Sequence, residues 1–208
     1  MDNKEMNNRV WDLFNVIRGK EDITKVLPAV LAVDRVKRKG LTDYREIYEA
    51  LREEASKLNI YSLFNREDAA IHIYMDIPDE IDWGFLLQRL SETAGKVMDL
   101  SILPESLVKV MEGGFNRDPE SVLIVEGEKF ITRITEMIES HPGTHFTISS
   151  QREVYTELLK IITEGYCNAS VVESNVYESY FLKERFDMIL SSPAFGGRTL
   201  SEDPTFIC

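Results

Sequence analysis

After Leu100 the sequence settles into short apolar runs separated by helix-length segments, and this alternation limits the possible folds more than any other feature. The runs are SVLIV at 121–125, HFTI at 145–148, ASVV at 169–172 and DMIL at 187–190. Each is too short for a buried helix, and uninterrupted aliphatic residues suit strands covered on both faces. Between them, 128–140 and 152–164 have helical spacing, and Gly165 closes the second. Strands alternating with helices predict a parallel sheet joined by right-handed crossovers. Ligands of such open sheets sit beyond the carboxyl ends of the strands, so the residues just after each run are the functional candidates.

The first 98 residues read differently. Val10, Leu13, Phe14 and Ile17 fall at helix spacing, with Gly19 as a stop. A second apolar pattern runs from Ile23 to Val33, where Pro28 starts or kinks a helix. Thr42 is placed to cap a helix over 43–58, with Ile47, Leu51 and Ala55 on one face. Residues 64–76 are ambiguous between helix and strand, and Pro78, Asp79 and Asp82 introduce an amphipathic helix carrying Trp83, Leu86, Leu87 and Leu90. The expected architecture is α/β: a helical N-terminal domain over 1–98, then an incomplete Rossmann-like parallel sheet over 99–208.

Composition narrows the function. The net charge of −12 disfavours strong binding to nucleic acid, because phosphate contacts need clustered Lys and Arg. The one dense basic stretch, Arg35, Lys37, Arg38 and Lys39, reads as a solvated helix end with cations near the C-terminal dipole. No run approaches the ~20 apolar residues of a membrane span, and the opening MDNKEMNNRVWDLF is unlike a secretion signal. Cys167 and Cys208 form neither a metal spacing nor a disulfide framework, so a reduced, cytoplasmic protein is expected. His72, His141 and His145 make no nucleophilic or metal constellation with the Ser and Asp residues, and no metal is expected.

The strand ends carry a resemblance. FDMILSSPAFGG at 186–197 resembles the FD-hydrophobic-NPPFG motif of DNA adenine amino-methyltransferases. Ser192 stands at the family's Asn position, Pro193, Phe195 and Gly196 are kept, and Ala194 replaces the second proline. Upstream, SILPESLVKVM at 101–111 resembles the helix after the family's Thr-Pro, and SVLIVEGEKFITRITEMIE resembles the strand, glycine loop and helix that bind S-adenosylmethionine. Ile124 and Val125 take the place of the Asp-Pro pair there, and Gly127 is the one glycine left. ISSQRE at 148–153 is similar to the family's IYGQE, with Arg152 at the acid position. VVESN at 171–175 holds the place of its gDxL, offering Glu173 or Asn175. NRVWDLFNVIRG and VLPAVLAVDRVKR resemble the opening helices of the methylation subunits of type I restriction–modification systems.

The resemblance implies a catalytic loop of Ser192 and Pro193 holding the target amine with Phe195 stacking on the flipped base. It implies S-adenosylmethionine as cofactor, bound by Gly127, Arg152 and Glu173. Against this, glycines let a backbone approach its cofactor, and here Glu126 and Glu128 crowd Gly127 with negative charge. The chain also stops about ten residues past the last motif, where a complete domain of the family continues with further strands. The expectation is therefore a non-catalytic relative working through protein contacts, either with methylation or specificity subunits or with itself, and reaching DNA only indirectly. A divergent active methyltransferase and a gene remnant without function stay open beside it.

Overall fold

The computed structural model describes residues 23–98, 100–115, 119–174 and 184–192. The calls on 8–19, on Asn175, and on Pro193, Phe195 and Gly196 lie outside the described residues. Seven α-helices and four strands are present among those described: α1 Val26–Arg38, α2 Tyr44–Lys57, α3 Glu67–Asp76, α4 Trp83–Met98, α5 Glu105–Glu112, β1 Ser121–Val125, α6 Ile134–Ser140, β2 His145–Ser150, α7 Glu153–Ile162, β3 Ala169–Glu173 and β4 Met188–Leu190.

The sheet is parallel throughout, in the order β3-β2-β1-β4. Its register aligns Val122 with Phe146 and Met188, and Ile124 with Ile148 and Leu190. Alternation along each strand therefore gathers these residues, with Ala169 and Val171 of β3, on one face. That face belongs to a single core with Ile134, Met137 and Ile138 of α6 and Tyr155, Leu158 and Leu159 of α7. The other face mixes Leu123 and Val125 with Thr147, Ser149 and Ser170, and leaves Ile189 of β4 58% exposed.

In the helical half, α1 is the central element. Apart from Pro28, Arg35, Lys37 and Arg38, all its residues are buried, and its first eight, VLPAVLAV, are apolar on every side. Pro28 occupies the third helical position, where the missing N–H costs no bond within the helix, so the proline falls in the first turn of α1. The core does not break at residue 98: Leu31, Leu51, Leu87 and Leu103 belong to the same cluster as Val122 and Phe146.

The basic stretch of α1 is not a merely solvated end. Arg35 donates to Glu157 of α7 and, at 3.3 Å, to Glu54 of α2; Arg38 reaches Glu164 at 2.7 Å and Asp34 at 2.6 Å. Lys37 donates to the Ile77 carbonyl at 2.7 Å and to Asp79 at 2.6 Å. The cations are thus spent on internal acceptors that tie α1 to α2, α7 and the turn after α3.

Two local expectations are corrected. Asp43, not Thr42, caps α2, accepting from the amides of Arg45 and Glu46 at 2.9 and 3.1 Å. The helix expected over 128–140 is two pieces: a 3-10 turn Gly127–Phe130, then α6 from Ile134. Phe130, Ile131 and Ile134 are buried in the core across this break.

Candidate functional site

Because all four strands run the same way, Val125, Ser150, Glu173 and Leu190 end on one edge of the sheet. The chain leaves β1 toward β2 on one side and returns as β4 on the other. The crevice outside the ends of β1 and β4 is therefore the switch point where open α/β sheets hold their ligands.

The sequence-derived candidates surround that edge unequally. Gly127 is buried directly after β1, and Ser192 is half-buried two residues after β4. Arg152 and Glu173 are exposed, at the start of α7 and the end of β3. A backbone bond from the Ser174 amide to the Ser150 carbonyl, 3.0 Å, closes the β2 and β3 ends together. Leu103 and Pro104, at the place of the family's Thr-Pro, line a cleft of about 360 Å3 with Gln88, Ser91 and Thr132.

Gly127 has a reason of its own to be glycine. Its φ lies outside the left-handed region, so conformational freedom is not what is needed. A Cβ there would fall 2.3 Å from Ile148 Cγ2 and 3.1 Å from Leu159 Cδ1. The turn is pressed against β2 and α7 so closely that no side chain fits. Left-handed geometry falls instead on Glu126, φ 55°, the residue that leaves the strand.

The crevice itself is occupied by Lys129, which the sequence reading did not single out. Its Nζ donates to Glu126 Oε2 at 2.7 Å and to the Ser192 backbone carbonyl at 2.8 Å, and the residue is 8% exposed. One ammonium thus bridges the ends of β1 and β4. The only hint in the sequence was a lysine three residues after Glu126, a pairing distance on a helical turn.

The two glutamates do not crowd the site as bare charges. Glu126 is neutralised by Lys129. Glu128 is buried, and its Oε2 has no hydrogen-bond partner among the described residues. Burial, with a smaller push from the Glu126 carboxylate, raises its pKa despite a hydrogen bond from Ser150 and the nearby Lys129 charge. The folded chain therefore holds a proton on Glu128 that the unfolded chain releases above about pH 4.3. Wild-type stability should fall as pH rises from there toward the higher folded value. A Glu128→Gln chain should lack that decline. Paired urea titrations from pH 4 to 8 check it: the advantage of the variant must grow with pH, and a constant difference would place the Glu128 proton elsewhere.

Among the described residues no group of three His, Cys, Asp or Glu is placed to hold a metal ion. No described helix is long and apolar enough to cross a membrane. Compared with family models, curated proteins and solved structures, the chain matches none.

Proposed function

We propose that this chain is a non-catalytic relative of the methylation subunit of type I restriction–modification systems, acting in the cytoplasm through protein contacts. The observation that carries the reading is the Lys129 ammonium fixed between Glu126 and the Ser192 carbonyl, in the crevice where an open α/β sheet would admit a ligand. The order of the resembling segments along the chain, and the four-stranded parallel sheet that they build, support the family placement. On this reading the chain divides into a helical domain of methylation-subunit type, 1–98, and a methyltransferase-like domain, 99–208.

The chemistry of the cofactor residues supports the loss of catalysis. The side of the turn that would approach S-adenosylmethionine has one glycine, and that glycine is pressed against Ile148 and Leu159. Arg152 replaces the acid that would bind ribose hydroxyls, and Glu173 is exposed. The partner is a methylation or specificity subunit, or a second copy of the chain. Ile189 on β4, 58% exposed, and Val110 on α5, 74% exposed, are apolar surface available for such a contact.

Titration calorimetry with S-adenosylmethionine tests the catalytic half, and no binding is expected below millimolar concentration. A dissociation constant near 1 μM, about −8 kcal/mol, would revive the active methyltransferase, with Ser192, Pro193 and Phe195 as its catalytic loop. Sedimentation alone and with methylation and specificity subunits tests the other half. Association that weakens in an Ile189→Asp variant is expected. A monomer that captures neither subunit would favour the gene-remnant reading.

A further inference from the structure

The cleft between α4 and the segment leading into α5 offers little to a polar guest. Ile102, Leu103 and Pro104 give it an apolar lining. The hydroxyls on its walls are already used: Ser91 Oγ donates to the Leu100 carbonyl at 3.1 Å, and Thr132 Oγ1 to the Leu103 carbonyl at 3.5 Å. No cation lines it, whereas Glu92 and Glu105 do, each about half exposed and each paired with a cation of its own helix. The matching guest is apolar where it enters and positively charged where it meets these carboxylates. At about 360 Å3 the cleft is near the small end of ligand pockets, about 300–1,000 Å3, so it takes side chains rather than a whole helix.

We propose that residues 8–18 of the same chain dock across this cleft as an amphipathic helix, with Leu13 and Phe14 entering it. Residues 1–22 lie outside the described residues, and the first described element, the 3-10 turn Ile23–Lys25, packs against α4. Gln88, Ser91 and Glu92 sit at the middle of that 16-residue helix, so the cleft is within about 12 Å of any point along its axis. Residues 19–22 can span about 13 Å, which is enough. The charges match as well. On a helix of 3.6 residues per turn, Val10, Leu13, Phe14 and Ile17 fall within about 100° of arc, and Arg9 and Arg18 lie about 40° beyond its two edges. Two arginines thus flank the apolar stripe, as two carboxylates line the cleft. The other end of the chain fits less well: 193–208 is broken by Gly196, Gly197 and Pro204, and sets Arg198 against Glu202 and Asp203. The contact stands whether or not the chain belongs with the methylation subunits.

Hydrogen exchange of the full chain tests this. The amides of 10–18 should exchange at least about tenfold more slowly than in a free peptide of the same sequence. Gln88→Trp, at an exposed position on the cleft wall, puts an indole where the segment would enter and should return those amides to the rate of the free peptide. Ser91→Trp is a second chain for the same comparison. Phe14→Asp, which alters no described residue, should release the segment equally. In all three, exchange in β1 and α7 should stay at its wild-type rate. Protection absent from 10–18 in the wild type, or protection there that survives all three substitutions, overturns the proposal. So does faster exchange at 194–207 instead of 10–18 in the two indole chains, which would give the cleft to the other end of the chain. Protection that fades on dilution would place the segment in the cleft of a second copy, and overturns the contact within one chain.

Discussion

A Gly127→Val chain is expected to lose about 3 kcal/mol or more of stability, as overpacking at a rigid site does. Even the first added carbon lands 2.3 Å from Ile148 Cγ2, and that atom belongs to a β-branched side chain with no exposed surface. It cannot swing aside as the tip of a lysine would, because χ1 of isoleucine is stiff and its neighbours fill the core. Gly127→Ala should therefore already cost about 1–3 kcal/mol. Ile148→Ala removes the obstructing methyl, so the pair Gly127→Ala with Ile148→Ala should cost less than the two singles added. Urea unfolding of the four chains completes the cycle. Strict additivity would mean that the turn after β1 can move away from the sheet. Gly127 would then owe its place to something other than packing.

Phe146→Ala is expected to be the costliest simple truncation, at about 3–5 kcal/mol. Phe146 is fully buried in the middle of the core face, flanked across the sheet by Val122 and Ala169. Its alanine neighbour is too small to lean into the hole, and the parallel strands on either side hold the backbone in place. The loss should also report on the helical half. The core is continuous from Leu31 through Leu103 to Phe146, so damage to the sheet should be felt by α1 and α2. Helical circular dichroism and tyrosine fluorescence should then shift their midpoints together in Phe146→Ala. Two separated transitions, with the helical signal surviving the sheet, would show that the halves fold independently.

The sheet was legible because its strands are short, apolar and spaced by helix-length segments, a pattern with few other solutions. The cap of α2 was misplaced by one residue because Thr42 and Asp43 are both good caps, and only backbone geometry chooses between them. Residues 64–76 stayed ambiguous for a physical reason. Ile71, Ile73 and Met75 alternate like a strand, yet the buried positions are Ala70, Ile73 and Ile77, at helical spacing, and Met75 is 57% exposed. The candidate site was legible in its location, since strand ends follow from the strands. Its content was not. Lys129 acquires its role from Ser192, 63 residues away, and no local pattern announces a contact that only the return of β4 creates. Gly127 was singled out for a cofactor, but its glycine is explained by Ile148 and Leu159, which are neighbours only in the folded sheet.

The burial of α1 has a consequence for how the chain is made. The first two turns of this helix are apolar on every side, and Arg35 finds its partner Glu157 122 residues later in the sequence. At a synthesis rate of about 5–20 residues per second, α1 emerges on the order of ten seconds before α7 exists. Throughout that interval an adhesive helix stands at the front of a growing chain with part of its final cover missing. Contacts so distant in sequence also slow the folding search. A newborn chain of this design gains from whatever shields α1 near the ribosome until α7 has emerged.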